Sequence, residues 1–197
     1  MPGLDDPLKP LLAALRDLVA WWGAQNVRGI VIGGVAASIL GRPRATRDIG
    51  ALVVLDPSRW DTFAASGPRH RFVPRIADAL NFARRSHVLL LRHEPSGVDV
   101  DLTFGALPFE AASIARSRKV RLGGLNVPLP APQDLLVMKA VAGRDRDRAD
   151  IESILDANPR LDLRRARRLV HAFSEALDDP EIHARFERLL SDRKRRR

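Results

Sequence analysis

A glycine pair and three aspartates are the residues of this chain best placed to do chemistry. The apolar run Ile30-Val31-Ile32 ends at Gly33-Gly34, and Val35-Ala36-Ala37-Ser38-Ile39-Leu40 follows. The glycines therefore sit where a predicted strand hands over to a helix N-terminus. Exposed amide N–H groups at such a point can hold a phosphate. Asp48 then opens the β-rich run Ile49 to Leu55, and alternation along a strand puts positions 48 and 50 on the same side. Further on, Val98-Asp99-Val100-Asp101-Leu102-Thr103-Phe104 alternates apolar and acidic over its first half, so two more carboxylates share a face. A phosphate cradle facing a carboxylate implies a bridging divalent metal. The apolar run His87-Val88-Leu89-Leu90-Leu91, a predicted buried strand, makes acids on the next strand costly unless something positive meets them.

The stretch Ile30 to Leu55, with its Gly-Gly turn and following acid, resembles the signature of the polymerase-beta-like nucleotidyltransferase superfamily. Within it, GGVAASILGRPRATRDIGALV is most similar to the small bacterial AbiEii-type, toxin-like members. The resemblance continues through Gly105-Ala106-Leu107-Pro108-Phe109-Glu110 and the segment from Pro132 to Ile151, covering about Arg28 to Leu155. It implies Mg²⁺-dependent transfer of a nucleotide from an NTP to a macromolecular hydroxyl, with tRNA or another RNA as acceptor and a cognate antitoxin as partner. It implies Asp48 and Asp101 as metal ligands, with Asp99 beside them. The Gly33-Gly34 backbone becomes the phosphate cradle, and Lys139 with Arg144 the counter-charges on the triphosphate. Asp147 and Asp150 fill the accompanying acidic positions on the next helix. Arg47 is a weaker cationic candidate that could simply offset Asp48.

One position departs from the pattern. The second acid expected two residues after Asp48 is Gly50. Losing metal stabilisation of about 4 kcal/mol would slow the reaction roughly a thousandfold. Three accounts stay open: Asp99 substitutes as ligand, one metal suffices for slow turnover, or the fold persists as a nucleotide- or RNA-binding module without turnover.

The 197 residues suffice for one well-buried domain with a helical appendage. The expected architecture is α/β (α+β): a mixed nucleotidyltransferase-like sheet with packed helices over residues 1–130, then a helical C-terminal part with a basic tail over 131–197. Amphipathic spacing of Leu8, Leu11, Leu12, Leu15, Leu18, Val19 and Trp22 predicts a first helix over about Pro7 to Gly23. Its Trp21 and Trp22 are read as packing residues rather than base-stacking platforms. Helices are predicted over Pro57 to Ala65, Ile76 to Arg85 and Phe109 to Ser117, and a hairpin around Gly123-Gly124. Four more helices follow Pro132, ending with Pro180 to Asp192.

The balance of 33 Lys+Arg against 24 Asp+Glu leaves +9, which favours polyanionic partners. From Arg160 to Arg197 there are 12 basic and 7 acidic residues, a net of +5, ending in Arg193-Lys194-Arg195-Arg196-Arg197. A solvated tail and a nucleic-acid contact explain this end equally well. Zero Cys excludes disulfides and thiolate metal sites. The chain shows neither a membrane-length apolar run nor a signal-peptide pattern, so a cytoplasmic protein is expected. Other chemistries fit less well. The glycine turn lacks the Lys-Ser/Thr ending of a P-loop and the three-glycine dinucleotide spacing. The five His show no zinc spacing, and no nucleophile-elbow motif is present.

Overall fold

A computed structural model describes residues 8–195 of the chain. It falls into two compact units: the chain up to Val35 together with Thr46–Leu129, and Ala36–Ala45 together with the chain from Pro130 onward.

In the first unit, helix α1 (Lys9–Ala24) buries Ala14, Leu15, Leu18, Trp21 and Trp22. The predicted start at Pro7 lies outside the described residues. A five-stranded sheet is formed by β1 (Gly29–Ile32), β2 (Asp48–Val53), β3 (Phe72–Pro74), β4 (Val88–His93) and β5 (Val98–Phe104), in the order β1-β2-β5-β4-β3. Only the central β2–β5 pairing is parallel; the other three are antiparallel, so the sheet is mixed as expected. Helices α3 (Trp60–Ser66), α4 (Ala79–Ser86) and α5 (Pro108–Ala115) and the hairpin of β6 (Arg118–Leu122) with β7 (Leu125–Leu129) complete this unit.

Strand alternation separates the two faces of the sheet. On β5, Val98, Val100, Leu102 and Phe104 are buried while Asp99, Asp101 and Thr103 are half-buried on the other face. On β4, Leu89, Leu91 and His93 are buried. The apolar face gives the fold its core, since each fully buried Leu, Val or Phe contributes roughly 1.5–3 kcal/mol. Trp21 stacks on Phe63 at 4.3 Å between ring centres and donates Nε1–H to Ser66 Oγ at 2.7 Å. Trp60 stacks on Phe104 at 4.2 Å. With Trp21 and Trp22 at 0% and 3% exposure, neither presents a ring to a base.

The second unit is helical. Helix α2 (Gly33–Leu40) begins in the first unit and crosses the boundary between the two, and α6 (Pro132–Ala142), α7 (Asp145–Ala157), α8 (Arg164–Ala176) and α9 (Pro180–Arg195) make up the rest. The α6–α7 turn is sharp because Gly143 adopts φ +60°, a left-handed C-cap. Helix α9 runs past the predicted end at Asp192 into the basic segment. Arg193 is held there by Asp156 and by Leu155 O at 2.8 Å. Arg196 and Arg197 lie outside the described residues. Among the described residues no helix is long and apolar enough to cross a membrane.

Candidate functional site

The parallel pairing of β2 with β5 fixes which acids meet. Asp48 lies directly opposite Asp99 and Gly50 opposite Asp101, and paired residues on adjacent strands project to the same face. Gly50 also pairs with Ile32 on β1, immediately before the glycine turn. Gly33 has φ +68°, the left-handed region that favours glycine, and a Cβ built there would stand 3.6 Å from Gly50 Cα. The turn, the glycine that replaces the second acid and the three aspartates thus form one neighbourhood on one sheet face. Asp48 is exposed and accepts a hydrogen bond from Thr46 Oγ1 at 3.2 Å. Arg47 is exposed.

The positive charge that two acids on an inner strand require comes from the protein itself. Arg75 follows the three-residue edge strand β3 and is held in register by its N–H donating to Leu90 O at 2.9 Å. Its guanidinium donates to Asp99 Oδ2 at 3.0 Å and also to Asp101 Oδ1. Arg92, opposite Asp99 on β4, donates Nε–H to Asp99 Oδ1 at 2.8 Å. The Arg92 bond pulls the Asp99 carboxyl below the usual carboxylate range; partial burial opposes this and Arg75 adds to it.

Neither arginine was singled out from the sequence. Arg92 left a signal: a hairpin around Glu94–Gly97 sets His93 opposite Val98, and therefore Arg92 opposite Asp99. Arg75 left none, because β3 exists by virtue of its partner strand.

These acids as arranged do not fit a pair of divalent ions. Position 50 carries no carboxylate, and the Asp99 and Asp101 carboxylates already share a guanidinium. Among the described residues, no group of three His, Cys, Asp or Glu side chains could hold a metal ion.

The other candidate residues belong to the second unit. Lys139, only 8% exposed, donates Nζ–H to Asp147 Oδ1 at 2.6 Å and to Asp150 Oδ2 at 2.7 Å. Asp150 receives a second cation, Arg44, through two bonds of 2.7 and 2.9 Å. Asp147 also accepts the Arg144 backbone N–H at 3.1 Å, capping the start of α7. Burial pushes the Asp150 carboxyl up, but the bonds from Arg44 and Lys139 outweigh it and hold it below its ordinary range. The result is a charge-balanced cluster of two cations and two anions in which Lys139, Asp147 and Asp150 are buried and Arg44 is exposed. The Arg144 side chain lies outside it, at the exposed α6–α7 junction.

No known family profile matches the chain, and no curated protein matches it. Solved structures do. The antibiotic-resistance factor ANT(2'')-Ia is 14% identical over 89% of this chain and 97% of its own, with a TM-score of 0.60. A nucleotidyltransferase-like protein from Paracoccidioides brasiliensis is 15% identical over 90% of this chain and 91% of its own, with a TM-score of 0.51. The lincosamide antibiotic adenylyltransferase LnuA is 12% identical over 74% of this chain and 96% of its own, with a TM-score of 0.51. At such identities the likeness concerns the fold, and on that ground the chain has the α/β nucleotidyltransferase-like fold.

Proposed function

We propose that this chain is a nucleotidyltransferase-fold protein that binds nucleotide or RNA without two-metal turnover. The observation that supports it most is the Arg75 guanidinium spanning Asp99 and Asp101 beside the carboxylate-free position 50. A divalent ion would have to displace a resident cation that already bonds both acids. The Gly33-Gly34 turn at the N-terminus of α2 remains suited to a phosphate, and the +9 charge suits a polyanion.

An active enzyme is the second reading, favoured by Asp48: it is exposed, and among the described residues no cation lies within ion-pair distance of it. On this reading Asp48 and Asp101 would hold Mg²⁺, and a nucleotide would pass to an acceptor hydroxyl. ANT(2'')-Ia has been seen with adenylyl-2''-tobramycin and LnuA with lincomycin. An RNA acceptor, a toxin role and a cognate antitoxin are carried here by the sequence resemblance and the basic charge alone.

One experiment separates the two. The protein and a Gly50→Asp variant are incubated with each α-labelled triphosphate, Mg²⁺ and total RNA, alongside thermal-shift measurements with the same triphosphates. Triphosphate stabilisation without label transfer by the natural protein is the expected result. Label transfer by the natural protein refutes the binding-module reading in favour of the enzyme, and loss of stabilisation by every triphosphate refutes both.

A further inference from the structure

Between α6, α7 and α9 the second unit holds a half-open cavity of about 380 Å³. That is within the range of small-molecule sites, roughly 300–1,000 Å³. Its floor is apolar, made by Ala140, Ile151, Phe186 and Leu189. Its rim is cationic: Arg144 at the α6–α7 junction, Arg148 on α7, and Arg185 and Arg188 on α9.

The rim charges are unequally compensated. Arg148 reaches Glu152 at 3.5 Å and Arg188 reaches Glu181 at 2.8 Å. Among the described residues, no carboxylate lies within ion-pair distance of the Arg144 or Arg185 side chain. Two acids also line the cavity. Asp147 is already satisfied by Lys139 and the Arg144 N–H. Asp192 is half-buried and without an ion pair among the described residues. The Arg185 guanidinium is held close over Gly143, where an added Cβ would meet Nη2 at 2.9 Å. The C-terminal end of α6 favours a cation at that place. Two guanidiniums without an ion pair, beside a cavity of this volume, match an anion attached to a compact organic body. Asp192 can accept hydrogen bonds from hydroxyl or amino groups of the same ligand.

The geometry points to a binding site for a nucleoside monophosphate in this cavity, with the phosphate on Arg144 and Arg185 and the nucleoside occupying the space beside them. The volume suits a small molecule better than an RNA strand, which would follow an extended groove. Every residue involved lies in the second unit, so the inference stands apart from the function proposed for the first.

Isothermal titration of AMP, adenosine and inorganic phosphate into the full chain tests it, beside Arg185→Ala, Arg185→Glu and Arg185→Lys. Arg69→Ala, which removes an equal charge from an exposed position of the first unit, controls for general electrostatics. AMP should bind more tightly than either adenosine or phosphate. Arg185→Ala should weaken it about tenfold, the scale of one lost charge-assisted contact. Arg185→Glu should abolish the binding event at this cavity, Arg185→Lys should restore part of it, and Arg69→Ala should leave it unchanged. Circular dichroism confirms that each variant keeps its helices. The inference is overturned by AMP binding equally to a folded Arg185→Glu variant, by no AMP binding at millimolar concentration, or by a single-stranded RNA binding where AMP does not.

Discussion

Removing the Arg75 guanidinium should convert a sheet face indifferent to divalent ions into one that responds to them. Arg75→Ala deletes the bonds to Asp99 and Asp101 and leaves two carboxylates two residues apart on one strand face, with Asp48 across from the first. The side chains involved are 25–47% exposed, so solvent screens them and each bond is discounted to about 1 kcal/mol. Arg92 still meets Asp99. The loss then totals about 2 kcal/mol, or roughly 4–8 °C in Tm for a chain of this size. A divalent ion present at ten times its Kd would return about 1.4 kcal/mol. All three tryptophans, Trp21, Trp22 and Trp60, lie in the first unit, so tryptophan fluorescence during thermal unfolding reports on the unit that holds Arg75. The measurement compares MgCl₂ with NaCl at matched ionic strength. The natural protein should show the same Tm in both salts, and Arg75→Ala should be lower in NaCl but recover a few degrees in MgCl₂. Equal Mg²⁺ stabilisation of the two proteins would refute the claim that the arginine occupies the place of an ion. So would a variant as stable as its parent.

The remaining predictions concern both units. Lys139→Met leaves Asp147 and Asp150 buried without their shared ammonium, and helical circular dichroism in urea should show a loss of about 3–5 kcal/mol. Because the Asp150 carboxyl is held down in the folded state, its contribution is fully present above the unfolded value of about 3.9 and lost as pH falls through the lower folded one. The urea midpoint of the helical signal should therefore drop on acidification below about pH 4, and Asp150→Asn should flatten that limb. Gly33→Ala has room for its methyl group but not the conformation, since φ is +68°. Left-handed strain alone should cost about 1–2 kcal/mol by tryptophan fluorescence.

What the sequence disclosed follows from how local each feature is. The glycine turn, Asp48 and the VDVD strand were legible because strand alternation and the strand-to-helix handover are written into neighbouring residues. Helix α1 and the apolar strand β4 were legible for the same reason. The edge strand β3 was not: three residues ending in Pro74 carry almost no pattern, and their conformation is imposed by pairing with β4. Arg75 was hidden with it. The predicted helix from Ile76 starts only at Ala79, so the chain needs those residues to turn away from the edge strand. Lys139 was found as a charged residue of interest, but its burial depends on Arg44, Asp147 and Asp150, contributed by a loop and the following helix.

The glycine at position 50 and the arginine at position 75 make physical sense only together. With an acid at 50, three carboxylates would surround Asp101 on adjoining strands, and a single guanidinium could not balance them; a divalent ion could. With glycine at 50, the face keeps Asp99 and Asp101 as a close pair; the Arg75 guanidinium bonds both, and Arg92 on Asp99 supplies the second positive charge. Arg75 therefore gives this face a fixed cation where position 50 carries no acid. Restoring an acid at 50 alone would add a carboxylate opposite Asp101 on a face whose Arg75 guanidinium is already bonded on both sides.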